Sequence, residues 1–227
     1  MSRPAFNHIR LITFDAFNTL YVPKENETVE KSFSKAFKNQ YKLYPNYGIK
    51  EGLTSSGWWK EVIRQTWFGA GVEENVIRDL LPKASINLLE KFSCGDGYDM
   101  YPDVPKILKM LKHRGIRLGV ISNSDERTGD ILKSFDLYQY FDFVQTSVDI
   151  GVEKPEPEIF ETALRAMGIS ACEALHIGDD LMRDYYGAKG VGMEALVIDR
   201  TDLEASKKDP YMYVHSLYEL IPMLKSS

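Results

Sequence analysis

Residues 10–20 read RLITFDAFNTL. An apolar run of strand length, 10–14, stops at a carboxylate, Asp15, and gives way to turn-forming residues. A short continuous apolar run with turn residues behind it is what a strand buried on both faces looks like in sequence. Runs of the same kind recur at 116–122, 141–146, 174–177 and 195–198. Stretches with apolar residues at helical spacing separate most of them, at 104–113, 126–135, 157–167 and 181–189. Strand alternating with helix predicts a parallel sheet with right-handed crossovers, an α/β doubly wound, Rossmann-like core. In such sheets ligands gather beyond the carboxyl ends of the strands. Asp15, Ser122 and Asp179 each lie within a few residues of such an end, so the pattern predicts that they share one edge.

The segment 21–99 breaks the alternation. It has helical patterning at 28–39, 57–67 and 73–92, many aromatics and no evident strand. An all-helical cap inserted after the first strand is the simplest account, with Gly95, Gly97 and Pro102 marking the return. The expected organisation is therefore core over 1–20, cap over 21–99 and core over 100–227.

The chain has 227 residues, 44% of them apolar and 27% charged, which is ordinary globular composition. A net charge of −5, with no long Lys/Arg run, argues against a nucleic-acid partner. No uncharged apolar run approaches the roughly 20 residues that span a bilayer, and the first residues lack the apolar region of a signal peptide. Cys94 and Cys172 have no metal-like spacing and read as reduced thiols. A cytoplasmic protein is expected, small enough for nuclear entry by diffusion. Nothing in the chain specifies an oligomeric state.

Four polar clusters carry the chemistry, in the order Asp, Ser, Lys, Asp-Asp. They are Asp15 in FDAFNTL (14–20), Ser122 and Asn123 in VISNSD (120–125), Lys154 in EKPEP (153–157), and Asp179, Asp180 and Asp184 in HIGDDLMRDYYGA (176–188). Together they offer a carboxylate nucleophile, a hydroxyl and an ammonium for an anion, and acids for a divalent cation. Clustered carboxylates repel unless a cation or raised pKa values relieve them, and Mg²⁺ suits hard oxygen ligands. Ser122 and Asn123 at a helix start can also hold a phosphate oxygen through backbone N–H groups. Each residue has a plainer reading taken alone. Asp favours turns, Ser caps helices, and acids are common in a helix's first turn, which suits Asp180 well.

In order and type the four clusters resemble the motifs of the haloacid dehalogenase-like hydrolase superfamily, over nearly the whole chain. WWKEVIRQTWFGAG (58–71) is similar to the cap of a eukaryotic branch of that superfamily. The resemblance implies that Asp15 attacks phosphorus to form an acyl phosphate that water then splits. It implies phosphate contacts from Ser122, Asn123, Lys154 and Thr19. It further implies a Mg²⁺ site made by Asp15, the backbone carbonyl of Phe17 and Asp179, with Asp180 and Asp184 behind them. The substrate implied is a small phosphorylated molecule.

Phe17 departs from the family pattern. Phosphatases of the superfamily carry there a second Asp, which protonates the leaving group. Losing a general acid costs about 10²–10⁴ in rate, and alkyl phosphates should suffer most. An aromatic at this position is also similar to 2-haloacid dehalogenases, in which the Asp attacks carbon without a metal. Against that reading stand Asp179 and the lack of an early cap arginine, since the first after Asp15 is Arg64. A non-catalytic binding protein on the same fold is the third reading. Trp58, Trp59, Arg64 and Trp67 are candidates to line a substrate pocket, although the aromatics read equally as lobe core. The four histidines share no spacing and receive no catalytic role.

Overall fold

The computed structural model describes residues 4–23, 29–201, 209 and 211–224. Strand β1 (Leu11–Phe14) lies at the centre of a six-stranded sheet, between β4 (Arg117–Ser122) and β6 (Ala174–Gly178). Outside β4 is β5 (Phe143–Thr146); outside β6 are β7 (Glu194–Ile198) and then β8 (Tyr213–Val214). Every neighbouring pair is parallel.

All residues of β1 are buried, as an unbroken apolar run between two helix layers requires. Its alternate side chains feed two cores. Ile12 and Phe14 join α4 (Val104–His113) and α5 (Arg127–Ser134) on one face. Leu11 joins α7 (Pro157–Met167) and Ala188 of α8 (Gly187–Gly190) on the other. The chain winds outward from β1 through β4 to β5, then crosses back to β6. The carboxyl ends of β4, β1 and β6 therefore surround the switch point, where an open parallel sheet leaves a crevice.

Between β1 and β4 the chain forms α1 (Glu30–Leu43), α2 (Ser55–Gly69) and α3 (Glu74–Lys91), with α2 packed between the other two. Their own small core holds Ala36, Trp58 and Val62. The first lobe helix, expected over 28–39, runs from Glu30 to Leu43, and residue 28 lies outside the described residues. The expectation of no strand in this region is corrected. Tyr21–Pro23 (β2) and Tyr98–Met100 (β3) pair as an antiparallel ribbon where the lobe leaves and rejoins the sheet. Strands of three residues are too short for a period of two to show. The helix expected over 181–189 begins instead as a π-helical turn, Leu181–Tyr186, and continues as α8. No helix among the described residues is long and apolar enough to cross a membrane.

Candidate active site

Asp15 follows β1 directly, and its N–H donates to the Ile177 carbonyl at 2.8 Å, extending the β1–β6 ladder by one step. The chain then doubles back: the Leu20 N–H donates to the Ala16 carbonyl, and Asn18 takes a left-handed conformation (φ 55°). Asn tolerates that region better than most residues. The turn aims Asn18 Nδ2 at Asp179 Oδ2, 3.0 Å away, joining the loop after β1 to the acidic loop.

Lys154 arrives from a different direction. The Asn123 side chain accepts from the Lys154 N–H at 2.7 Å and donates to the Lys154 carbonyl at 2.9 Å, clamping that main chain to the end of β4. The buried ammonium then donates to Asp15 Oδ1 (2.7 Å), Asp184 Oδ1 (2.6 Å) and the Ile121 carbonyl (2.8 Å). An ammonium has three N–H donors, so all are in use. Asp184 can reach this point because residue 178 is glycine. A Cβ on Gly178 would stand 2.1 Å from the Asp184 carboxyl carbon.

Burial pushes the Asp15 carboxyl up to about 6; the Lys154 charge opposes this, and the charges of Asp184 and Asp179 reinforce it. Asp184 goes the other way. Burial would raise it, but the Lys154 charge and the hydrogen bond from His176 hold it well below the ordinary carboxylate range. The pair is thus one anion held firmly and one held against its preference. Asp15, Asp179 and Asp184 can each place one carboxylate oxygen within 4.8 Å of the others. The carbonyl of Phe17, two residues after Asp15, accepts no hydrogen bond among the described residues. Hard oxygens at this spacing suit a small divalent cation that keeps several waters.

Several expected site residues have other work. The Asn123 side-chain amide is engaged by the Lys154 main chain, which leaves the backbone N–H as the group available to an anion. Asp180 caps the π-helical turn, its Oδ1 accepting from the Met182 and Arg183 N–H groups at 2.8 Å each. Thr19 Oγ1 is buried without a hydrogen-bond partner among the described residues, while its carbonyl accepts from Arg200 Nη2 at 2.6 Å. Ser122 stands buried at the end of β4, next to Ile121, whose carbonyl holds Lys154.

The lobe candidates separate. Trp58 is corrected from pocket lining to lobe core: it is 1% exposed, packs on Phe37 and Tyr47, and donates to the Tyr44 carbonyl. Arg64 pairs with Glu61 and Glu74 on the lobe itself, so its charge is already answered. Trp67 is half-buried, and its indole N–H donates to no described residue. Only Trp59 of the four reaches across to the sheet domain with a hydrogen bond, donating to Asp125 Oδ2 at 2.7 Å. Arg127 grips the same carboxylate and stacks on the Trp59 ring at 4.8 Å. A second bridge runs from the Tyr41 hydroxyl to Glu153, beside Lys154.

Sequence reasoning missed Asn18, Asp125, Glu153 and His176. All four sit inside the quoted clusters, so their positions were the available signal; the partners of His176 are brought by strand register and by a turn eight residues on, which local spacing does not show.

These features together gather three acids and a buried lysine at the switch point of a parallel sheet. The haloacid dehalogenase-like hydrolase family model matches residues 9–192, and the chain belongs to that family. It is 35% identical to mouse haloacid dehalogenase-like hydrolase domain-containing protein 3, over 95% of this chain and 94% of that protein. A solved HAD phosphatase from Thermococcus onnurineus is 27% identical and superposes with a TM-score of 0.60, covering 93% of this chain and 96% of that one. A 2-haloacid dehalogenase from Pseudomonas syringae pv. tomato, 23% identical with the same coverages, shares the fold at a TM-score of 0.64.

Proposed function

We propose that the chain is a Mg²⁺-dependent phosphatase of a small phosphorylated molecule, with Asp15 as nucleophile and activated phosphates as its better substrates. The observation that carries this reading is the buried Asp15–Lys154–Asp184 chain beside Asp179. One oxygen of Asp15 is fixed by Lys154, which leaves Oδ2 to attack phosphorus. The new O–P bond forms as the bond to the leaving oxygen breaks, giving an acyl phosphate on Asp15; water then splits it and restores the carboxylate. Lys154 offsets the charge of Asp15 and of the group arriving on it, and the Ser122 hydroxyl would hold a phosphoryl oxygen. Mg²⁺, held by Asp15, Asp179 and the Phe17 carbonyl with Asp184 behind, would neutralise charge between two approaching anions.

Phe17 is 44% exposed and carries no proton to give, so the leaving oxygen must depart as an anion. Aryl and acyl phosphates can do that; alkyl phosphates do it poorly. The test compares p-nitrophenyl or acetyl phosphate with a sugar phosphate, with Mg²⁺ and with EDTA, for the native chain and Asp15→Asn. Turnover of the activated esters that needs Mg²⁺ and vanishes in Asp15→Asn is expected. Equal, efficient turnover of the sugar phosphate would show that a general acid is present after all. Halide release from a 2-haloacid that persists in EDTA would replace the phosphatase reading with the dehalogenase one. Turnover that is the same in both chains, or absent from both, would leave only a binding role for the fold.

A further inference from the structure

We propose that His176 is a positioning residue of this reaction: it fixes Asp184, and through Asp184 the Lys154 ammonium that holds the nucleophile. The inference rests on the hydrolase reading above. His176 is wholly buried. Its Nε2 lies 3.0 Å from Asp184 Oδ1, the same oxygen that Lys154 reaches at 2.6 Å. Its Nδ1 lies 2.8 Å from the hydroxyl of Thr13, its register partner on β1.

The partners dictate the tautomer. A carboxylate can only accept, so Nε2 carries the hydrogen; Nδ1 then accepts, and the Thr13 hydroxyl donates. Burial favours the neutral ring, so a single neutral tautomer with two directed bonds results. The edge of Phe160 packs on the ring at 5.2 Å between centroids and limits its tilt. Asp184 thereby receives Lys154 and His176 on Oδ1 and the Asp180 N–H on Oδ2 (3.0 Å). Three donors from three segments leave the carboxylate one orientation. Without His176 it would keep a partner on each oxygen but lose the restraint that sets its angle, and Lys154 would follow it away from Asp15.

The test separates position from stability. His176→Gln keeps an N–H donor near Nε2. The double variant Thr13→Val/His176→Leu removes both partners of the Thr13–His176 bond together, so the loss that remains is the donor to Asp184 Oδ1. With p-nitrophenyl phosphate and Mg²⁺, the double variant should lose about 10- to 100-fold in kcat, with KM changed less than about threefold, because a hydrogen bond to a charged group is lost in the transition state. His176→Gln should recover most of that loss. Nitrogen-15 NMR of the native protein should show a neutral ring protonated at Nε2. Equal kcat in all three proteins, losses that follow melting temperature and are not rescued by Gln, or a ring protonated at Nδ1 would each overturn the inference. A native protein with no turnover would instead overturn the hydrolase reading, and the role of His176 with it.

Discussion

At residue 17 the chain differs from the pattern its other motifs follow, and on the phosphatase reading the side chain there limits what the site would release. Phe17 is half out in solvent on the loop that turns back after Asp15, so its ring adds little to the core. Replacing it should therefore alter chemistry more than stability. Phe17→Asp supplies a carboxyl two residues from the nucleophile, where a leaving oxygen departs. Turnover of an alkyl phosphate should rise by about tenfold or more, a fraction of what a well-placed general acid contributes. Turnover of p-nitrophenyl phosphate should change much less. A variant with the ratio of the two rates unchanged would mean that proton supply does not limit the native enzyme. Asp15 and Lys154 could be picked out in the sequence because their types and order are diagnostic. The exact work of Asn123 and Asp180 could not, because an amide or a carboxylate beside a helix start serves main chain and ligand equally well, and only geometry chooses between them.

Among elements, the ends of β4 and β6 and the loop before α7 do the positioning, and side chain to main chain bonds hold them together. Asn123 is the firmest of these ties, since its amide answers both polar groups of the Lys154 main chain. Asn123→Ala would leave an N–H and a carbonyl near the protein interior without partners. Each such group costs about 1–3 kcal/mol; a melting temperature lowered by several degrees and a fall in kcat at an unchanged active fraction are expected. If kcat holds while the melting temperature falls, the clamp stabilises the fold without aligning Lys154. The long elements were legible from the sequence because burial imposes a period: α4 and α7 match their expected limits at both ends. The ribbon of β2 and β3 and the two-residue β8 were not, since pairing partners many residues away define them and local pattern does not.

For the whole molecule, the site stores a conflict that a cation should relieve. Three carboxylates and one lysine meet at the sheet's edge, and Asp15 bears the cost, with burial and its neighbours' charges pushing it up to about 6. A carboxyl whose pKa is higher folded than unfolded contributes stability at pH below the unfolded value. That contribution is lost as pH rises through the folded value, here about 6. Above pH 6 the fold therefore carries an extra ionised group in the cluster, and a divalent cation would bind where that charge accumulates. Below pH 6 the cation must first displace a proton from Asp15, so its apparent affinity falls. Mg²⁺ at 100 times its dissociation constant adds about 2.7 kcal/mol, which in a chain of this size is a rise in melting temperature of about 5–10 °C. That rise should appear at pH 7.5, shrink markedly at pH 5, and lose its pH dependence in Asp15→Asn. Catalysis should follow the same proton: the acid limb of kcat/KM should lie near pH 6 at low Mg²⁺ and move lower as Mg²⁺ is raised. A melting temperature indifferent to Mg²⁺ at both pH values would mean that the three carboxylates do not share a cation, and an acid limb fixed at all Mg²⁺ concentrations would mean that Asp15 is not among its ligands.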